Sequence, residues 1–281
     1  AVYRAWEQQG HVRFVRDRAG LDRHLAEWES WDRAADAEAG SSPPIGLVIS
    51  MESADPILSP AQLSEWWDAG VRVIGPAHYG PGCYAGGTGT QDGLTPLGNE
   101  LLVEMERLGI ILDLTHLSDE AFWQAMEQYS GPVLASHNNC RALVPHQRQF
   151  DDAQLRAIIE RDGVVGAVLD AWMLQPGWIV GRTTNERVSL ANVVDHIDHI
   201  CQLAGSSRHA AIGSDLDGGF GGEQSPRDLD TIADLQRIGH LLSERGYSGA
   251  DVAGILHDNW LRTLRQAWRG ESFQRRTPVR I

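Results

Sequence analysis

Residues 110–119 read IILDLTHLSD, and residues 132–140 read PVLASHNNC. Each is an aliphatic run that delivers a histidine, His116 or His137, and then small polar residues. Four further runs share the texture: IGLVISME (45–52), VRVIGPAH (71–78), VVGAVLD (164–170) and HAAIGSDLD (209–217). Continuous apolar runs of this length suit strands buried on both faces. Helix-forming stretches with readable starts lie between them. Ser59-Pro60 with Gln62 predicts a cap, a first-turn proline and a capping-box partner. Thr95-Pro96 repeats the cap and proline, Ser118 precedes Asp119 and Glu120, and Asp151 precedes DAQLRAIIE. Further helices are expected over 21–38, 190–204 and 228–245, with shorter ones across 249–268.

Strand–helix alternation at this spacing predicts a parallel sheet with right-handed crossovers. A doubly wound sheet and a barrel both satisfy that pattern, and the polar residues decide between them. The runs end in Glu52, His78, His116, His137, Asp170 and Asp215. Chemistry-bearing side chains at the ends of many strands are the habit of the (β/α)8 TIM barrel, whose strand ends converge on one face. An open sheet uses mainly the ends beside its switch point. The expectation is therefore a single barrel domain over 1–270 and an extended tail over 271–281. Six good barrel strands are present where eight are needed. HVRFVRD (11–17) is a candidate minor strand without a site residue, so the first one or two β/α units are expected to be absent from this chain.

The composition removes whole classes of function. The chain has 281 residues and a formal net charge of −14, which disfavours nucleic acid and anionic membranes as partners. All 24 basic residues are arginine, so a Walker lysine, a Schiff-base lysine and a carbamylated lysine bridging two metals are impossible. Cys83, Cys140 and Cys201 lie far apart and form neither a disulfide framework nor a zinc ribbon. No apolar run reaches the roughly 18 residues of a transmembrane helix. Localisation depends on what precedes Ala1, with a cytoplasmic setting favoured.

His116 and His137 lie one strand–helix unit apart, which predicts neighbouring strand ends facing one mouth. Two imidazoles with a carboxylate such as Glu52 opposite make a zinc-type ligand set with room for water. Other features read more simply. GPGCYAGGTGT (80–90) contains G-x-G-x-x-A, but no helix opens on it, so a mobile flap beside His78 is the better reading than a dinucleotide loop. His196 and His199 sit in a stretch whose apolar spacing marks an amphipathic outer helix, and HID (196–198) reads as helix surface. Trp172 and Trp178 follow the Asp170 run and are expected to pack in the core or at the rim, with lining of the substrate pocket as the alternative.

The stretch 94–148, with LDLTHLS and ASHNNCRALVPHQRQ together, resembles the membrane (renal) dipeptidase family of zinc peptidases. So do ISMESADPI, GPAHYG and HIDHICQLAGSSRHAAIGSDLDGG. The likeness covers residues 45–268. It implies an amidohydrolase-like barrel holding two Zn2+ ions and hydrolysing dipeptides, and family members often pair as homodimers. It further implies that Glu52 bridges the two metals, and that His116 and His137 complete one zinc site. Asp215, with Asp217 as competitor, would shuttle the proton. His78 would hydrogen-bond the developing oxyanion, and Arg148 would pair with the substrate's carboxylate. The family's H-x-D pair on the first barrel strand has no counterpart before residue 45. Two further readings stay open: a related amidohydrolase acting on lactones or N-acyl amino acids, and a non-catalytic barrel.

Overall fold

The computed structural model describes residues 2–34 and 42–268. The expected extended tail at 271–281 lies outside these residues. Strands β1 (Val12–Phe14), β2 (Ile45–Leu47), β3 (Ile49–Glu52), β4 (Val71–Gly75), β5 (Ile111–Asp113), β6 (Val133–Leu134), β7 (Val165–Ala167) and β8 (Ala210–Ile212) carry the architecture. Every pairing between them is parallel: β1 with β2, then β3–β4–β5–β6 in order, then β7 with β8. β2 and β3 are the two halves of the run at 45–52, and a parallel bridge between Ala135 and Val165 carries the sheet from β6 to β7. Chain order and spatial order therefore coincide, as in a barrel wall. Among the described residues no pairing joins β1 to β8.

Among the described residues ten α-helices accompany the strands. They are α1 (Val2–Gln8), α2 (Arg18–Ala34), α3 (Leu63–Ala69), α4 (Pro96–Leu108), α5 (Asp119–Gln128), α6 (Asp152–Glu160), α7 (Leu190–Ala204), α8 (Arg237–Glu244), α9 (Gly249–Ala253) and α10 (Asn259–Ala267). Their starts follow the local chemistry. Thr95 accepts from the Gly98 N–H, Ser118 from Ala121, and Asp151 forms a reciprocal capping box with Gln154. Ser59 departs from expectation: its side chain caps nothing, Pro60–Gln62 is a 3-10 turn, and the Gln62 side chain accepts instead from the Leu58 N–H at 3.1 Å. The predicted helix at 228–245 shortens to α8, preceded by a 3-10 turn at Ile232–Gln236.

Alternation along each strand divides the core between two faces. Ile74, Leu112, Val133, Val165 and Ala210 pack with the apolar stripes of α4 to α8, including Leu102, Met105, Phe122, Ile158, Ile197 and Leu242. Their neighbours Val73, Ile111 and Leu134 point the other way and meet Trp260, Leu264 and Ala267 of α10. Helix α10 thus lies across the face of the strands opposite to that covered by α4 to α8. The Trp260 indole N–H donates to the Ile212 carbonyl at 2.9 Å, and Arg265 pairs with Asp22 of α2 at 2.8 Å.

Candidate metal centre

Glu52 closes β3, and His78, His116, His137, Asp170 and Asp215 follow closely on the ends of β4, β5, β6, β7 and β8, whereas Arg148 lies further on in the loop after β6. Parallel strands bring those ends to one rim. There the Nε2 atoms of His116 and His137 stand 3.0 and 3.1 Å from the same Glu52 oxygen, Oε1, and 3.2 Å from each other. Among the described residues this is the one group of three His, Cys, Asp or Glu side chains whose ligand atoms lie close enough to share an ion. His116 and His137 are buried, whereas Glu52 keeps 46% of its side chain exposed, so the cluster opens on one side.

Backbone geometry aims these groups. Ser53, His116 and Asp215 are non-glycine residues with positive φ, at 67°, 68° and 56°. Each turns the chain sharply where a strand has just ended. Left-handed backbone in such residues costs free energy and concentrates at functional sites. Three of the four non-glycine examples among the described residues lie at this rim.

The far side of each imidazole is also held. Thr88 Oγ1 lies 3.1 Å from His116 Nδ1 and donates its own hydrogen to the His116 carbonyl at 3.3 Å. The Thr88 oxygen is then left to accept, which fixes the proton on Nδ1 and the lone pair on Nε2. Ser136 Oγ sits 2.8 Å from His137 Nδ1 and can fix that ring in the same tautomer. Two nitrogen lone pairs and a carboxylate oxygen would then converge with no proton among them, an arrangement that only a cation satisfies. Two ligands about 2.1 Å from a tetrahedral ion are roughly 3.4 Å apart, close to the edges observed. The donor set fits a divalent metal of the zinc type.

The electrostatics agree. The His116 and His137 imidazoles beside Oε1 hold the Glu52 carboxyl far below the usual range, and burial pushes His116 down to about 3. Both side chains are thus in their metal-binding protonation states at neutral pH. Burial raises the Asp215 carboxyl, whose Oδ2 lies 4.0 Å from His137 Nε2. Its competitor Asp217 is exposed. His78 stands at the edge of the cluster, with Nε2 3.7 Å from Glu52 Oε1 and its ring centroid 4.4 Å from that of His116. Arg148 is buried; Nη1 donates to Asn138 Oδ1 at 3.1 Å and Nη2 to the His137 carbonyl at 2.9 Å.

Several expectations need correction. The glycine-rich loop after His78 is not a free flap. Backbone bonds from Gly80, Gly87 and Thr88 zip it together, and Tyr84 and Ala85 are fully buried. A side chain at Gly87 would strike the His78 carbonyl at 2.0 Å, so glycine is what allows this close fold-back. His196 is not on the helix surface either: it is 1% exposed, and its Nδ1 accepts the Cys140 N–H at 3.0 Å. Trp172 packs edge-on against His146, while Trp178 packs against the helical core. The roles of Thr88 and Tyr79 had escaped notice. Tyr79 rests 5.1 Å from the His116 ring; it follows His78 and could have been suspected, whereas Thr88, 28 residues from its histidine, carried no local signal.

Comparison with known proteins follows the same lines. The family model for membrane dipeptidases (peptidase family M19) matches residues 12–276. An uncharacterized protein in the pqqA 5′ region of Klebsiella pneumoniae is 34% identical over 214 residues, 73% of this chain and 76% of that protein. An uncharacterized dipeptidase of Schizosaccharomyces pombe is 33% identical over 208 residues, 73% of this chain and 48% of its own length. The chain spans about half the length of several curated dipeptidases that it matches. Among solved structures, a metallo peptidase from Rhodobacter sphaeroides, liganded with a phosphinate mimic of L-Ala-D-Ala, superposes with a TM-score of 0.77 at 27% identity. The match covers 95% of this chain and 73% of that one. An α/β chain of parallel strands, with a carboxylate and two imidazoles converging at its rim, thus belongs to the membrane dipeptidase family of metallopeptidases.

Proposed function

We propose that this chain carries the catalytic rim of a zinc dipeptidase. The supporting observation is the convergence of Glu52 Oε1, His116 Nε2 and His137 Nε2 within 3.2 Å of one another. Glu52, His116 and His137 would hold one zinc ion, and the outward-facing remainder of the Glu52 carboxylate would bridge to a second. Zinc, when bound there, supplies a nucleophilic water of lowered pKa and polarises the scissile carbonyl.

The remaining steps belong to the chain's own side chains. Asp215, beside His137 and raised by burial, is suited to take the water's proton and deliver it to the leaving amine. His78, at the open edge of the cluster, offers Nε2 as a hydrogen-bond donor to the developing oxyanion. Arg148 is a buried cation with no carboxylate in ion-pair range among the described residues, which favours capture of the substrate's free carboxylate. A site with one such anchor beside its metal suits short peptides.

His116→Ala removes one imidazole from the shared focus. Expected outcomes are loss of bound zinc and at least a 100-fold fall in hydrolysis of L-Ala-L-Ala, with the far-ultraviolet circular dichroism unchanged. Full dipeptidase activity in this variant would rule out the metal assignment.

A further inference from the structure

Asp170 follows β7 on the same rim but takes no part in the metal cluster. It is 8% exposed. Gln224 Nε2 donates to its Oδ1 at 2.8 Å, and the Trp172 N–H reaches the same atom at 3.4 Å. The Trp172 side chain also bonds the carboxyl, and among the described residues no arginine or histidine pairs with either oxygen. Burial, with a smaller push from the Asp215 charge, raises the Asp170 carboxyl. A nearly sealed carboxylate whose partners are all neutral keeps its charge uncompensated, and a cation arriving at the rim is what would offset it.

Its surroundings locate that cation. The Tyr79 hydroxyl senses Arg148, Asp170 and Asp215 together, and the Tyr79 ring rests against His116. The rim therefore holds two buried charges of opposite sign beside the metal cluster, the Arg148 guanidinium and the Asp170 carboxylate, neither in a direct ion pair among the described residues. Gln224 is itself fixed, because Asn185 Nδ2 bonds the carbonyls of Gly222 and Ser225, each at 2.8 Å. Asp170 is accordingly pre-oriented before any ligand arrives.

We propose that Asp170 is a specificity residue that holds a cationic group of the substrate, an ammonium or guanidinium, while Arg148 holds the carboxylate. The inference rests on the dipeptide reading above and narrows its substrate class to peptides with a positive charge on the amino-terminal residue. That charge has two sources, the free α-ammonium and a basic side chain.

Asp170→Asn keeps the size and the acceptor for Gln224 while removing the charge. Kinetics of the zinc-loaded protein are compared for L-Ala-L-Ala, L-Arg-L-Ala and N-acetyl-L-Ala-L-Ala. A rise of 10-fold or more in KM for both free dipeptides, with kcat and the acetylated substrate within twofold of wild type, assigns the α-ammonium. A rise confined to L-Arg-L-Ala assigns the side chain. No change, or an equal change on free and acetylated substrates, overturns the proposal. Calorimetric binding of phosphinate mimics of L-Ala-D-Ala and L-Arg-D-Ala should follow the same pattern without turnover. Failure of the wild type to hydrolyse any dipeptide would sink the functional reading, while the binding comparison would still decide the role of Asp170. Equal affinity of wild type and variant for both mimics would overturn it.

Discussion

The Arg148 guanidinium donates to Asn138 Oδ1 and to the His137 carbonyl, and both of these acceptors are neutral. Its guanidinium therefore supports His137, the proposed metal ligand, with one nitrogen and, at 3% exposure, has no carboxylate in ion-pair range among the described residues. These two roles can be separated. Arg148→Ala should lower kcat for every substrate, because His137 loses a support. It should raise KM only where a substrate carboxylate was paired. Truncating one side of a buried charge pair costs about 2 kcal/mol or more, roughly 30-fold in KM. The check is L-Ala-L-Ala against its C-terminal amide: the KM increase should be at least 10-fold larger for the acid. Equal increases would reduce Arg148 to a positioning role alone.

At the scale of elements, rim geometry depends on how closely neighbouring strands approach. A Cβ at Gly213, just beyond β8, would lie 1.9 Å from the Ser136 carbonyl and 3.0 Å from Gly166 Cα. These are backbone atoms that cannot swing aside. Gly213→Ala should therefore force β8 away from β6 and β7 and cost about 1–3 kcal/mol, read as a lower urea midpoint. Because Asp215 lies two residues on, kcat should fall as well. An unchanged midpoint would show that the strands do not approach this tightly. The apolar runs made the strands themselves legible, since a strand buried on both faces writes its period as unbroken aliphatic sequence. Cap residues marked the starts of α4, α5 and α6 for the same local reason. What stayed hidden was non-local. The packing of α10 against Val73, Ile111 and Leu134, and the bond from Thr88 to His116, join residues with no sequence relation. His196 misled because its helix is amphipathic but its own position falls under the 140s loop, where a backbone N–H needed an acceptor.

That buried histidine has consequences for the molecule as a whole. Burial depresses the His196 pKa from 6.5 to about 3, so the ring stays neutral in the folded chain and keeps its bond from the Cys140 N–H. In the unfolded chain it titrates near 6.5. Between those values the unfolded state binds the proton that the native state refuses, and stability rises with pH. The contribution of His196 is therefore complete above about pH 6.5 and is lost progressively as pH falls toward 3, by up to about 1.4 kcal/mol per pH unit. Burial depresses His209 as well, in the same direction. His196→Asn removes the titrating ring and leaves an amide oxygen able to accept from Cys140. The variant should be less stable than wild type at pH 7.5, because part of the ring's volume is vacated. It should nevertheless lose less stability on acidification, so that urea midpoints for the two chains converge between pH 6.5 and 4.5. Parallel lines across that interval would show that His196 takes up its proton in the folded molecule as readily as in the unfolded one.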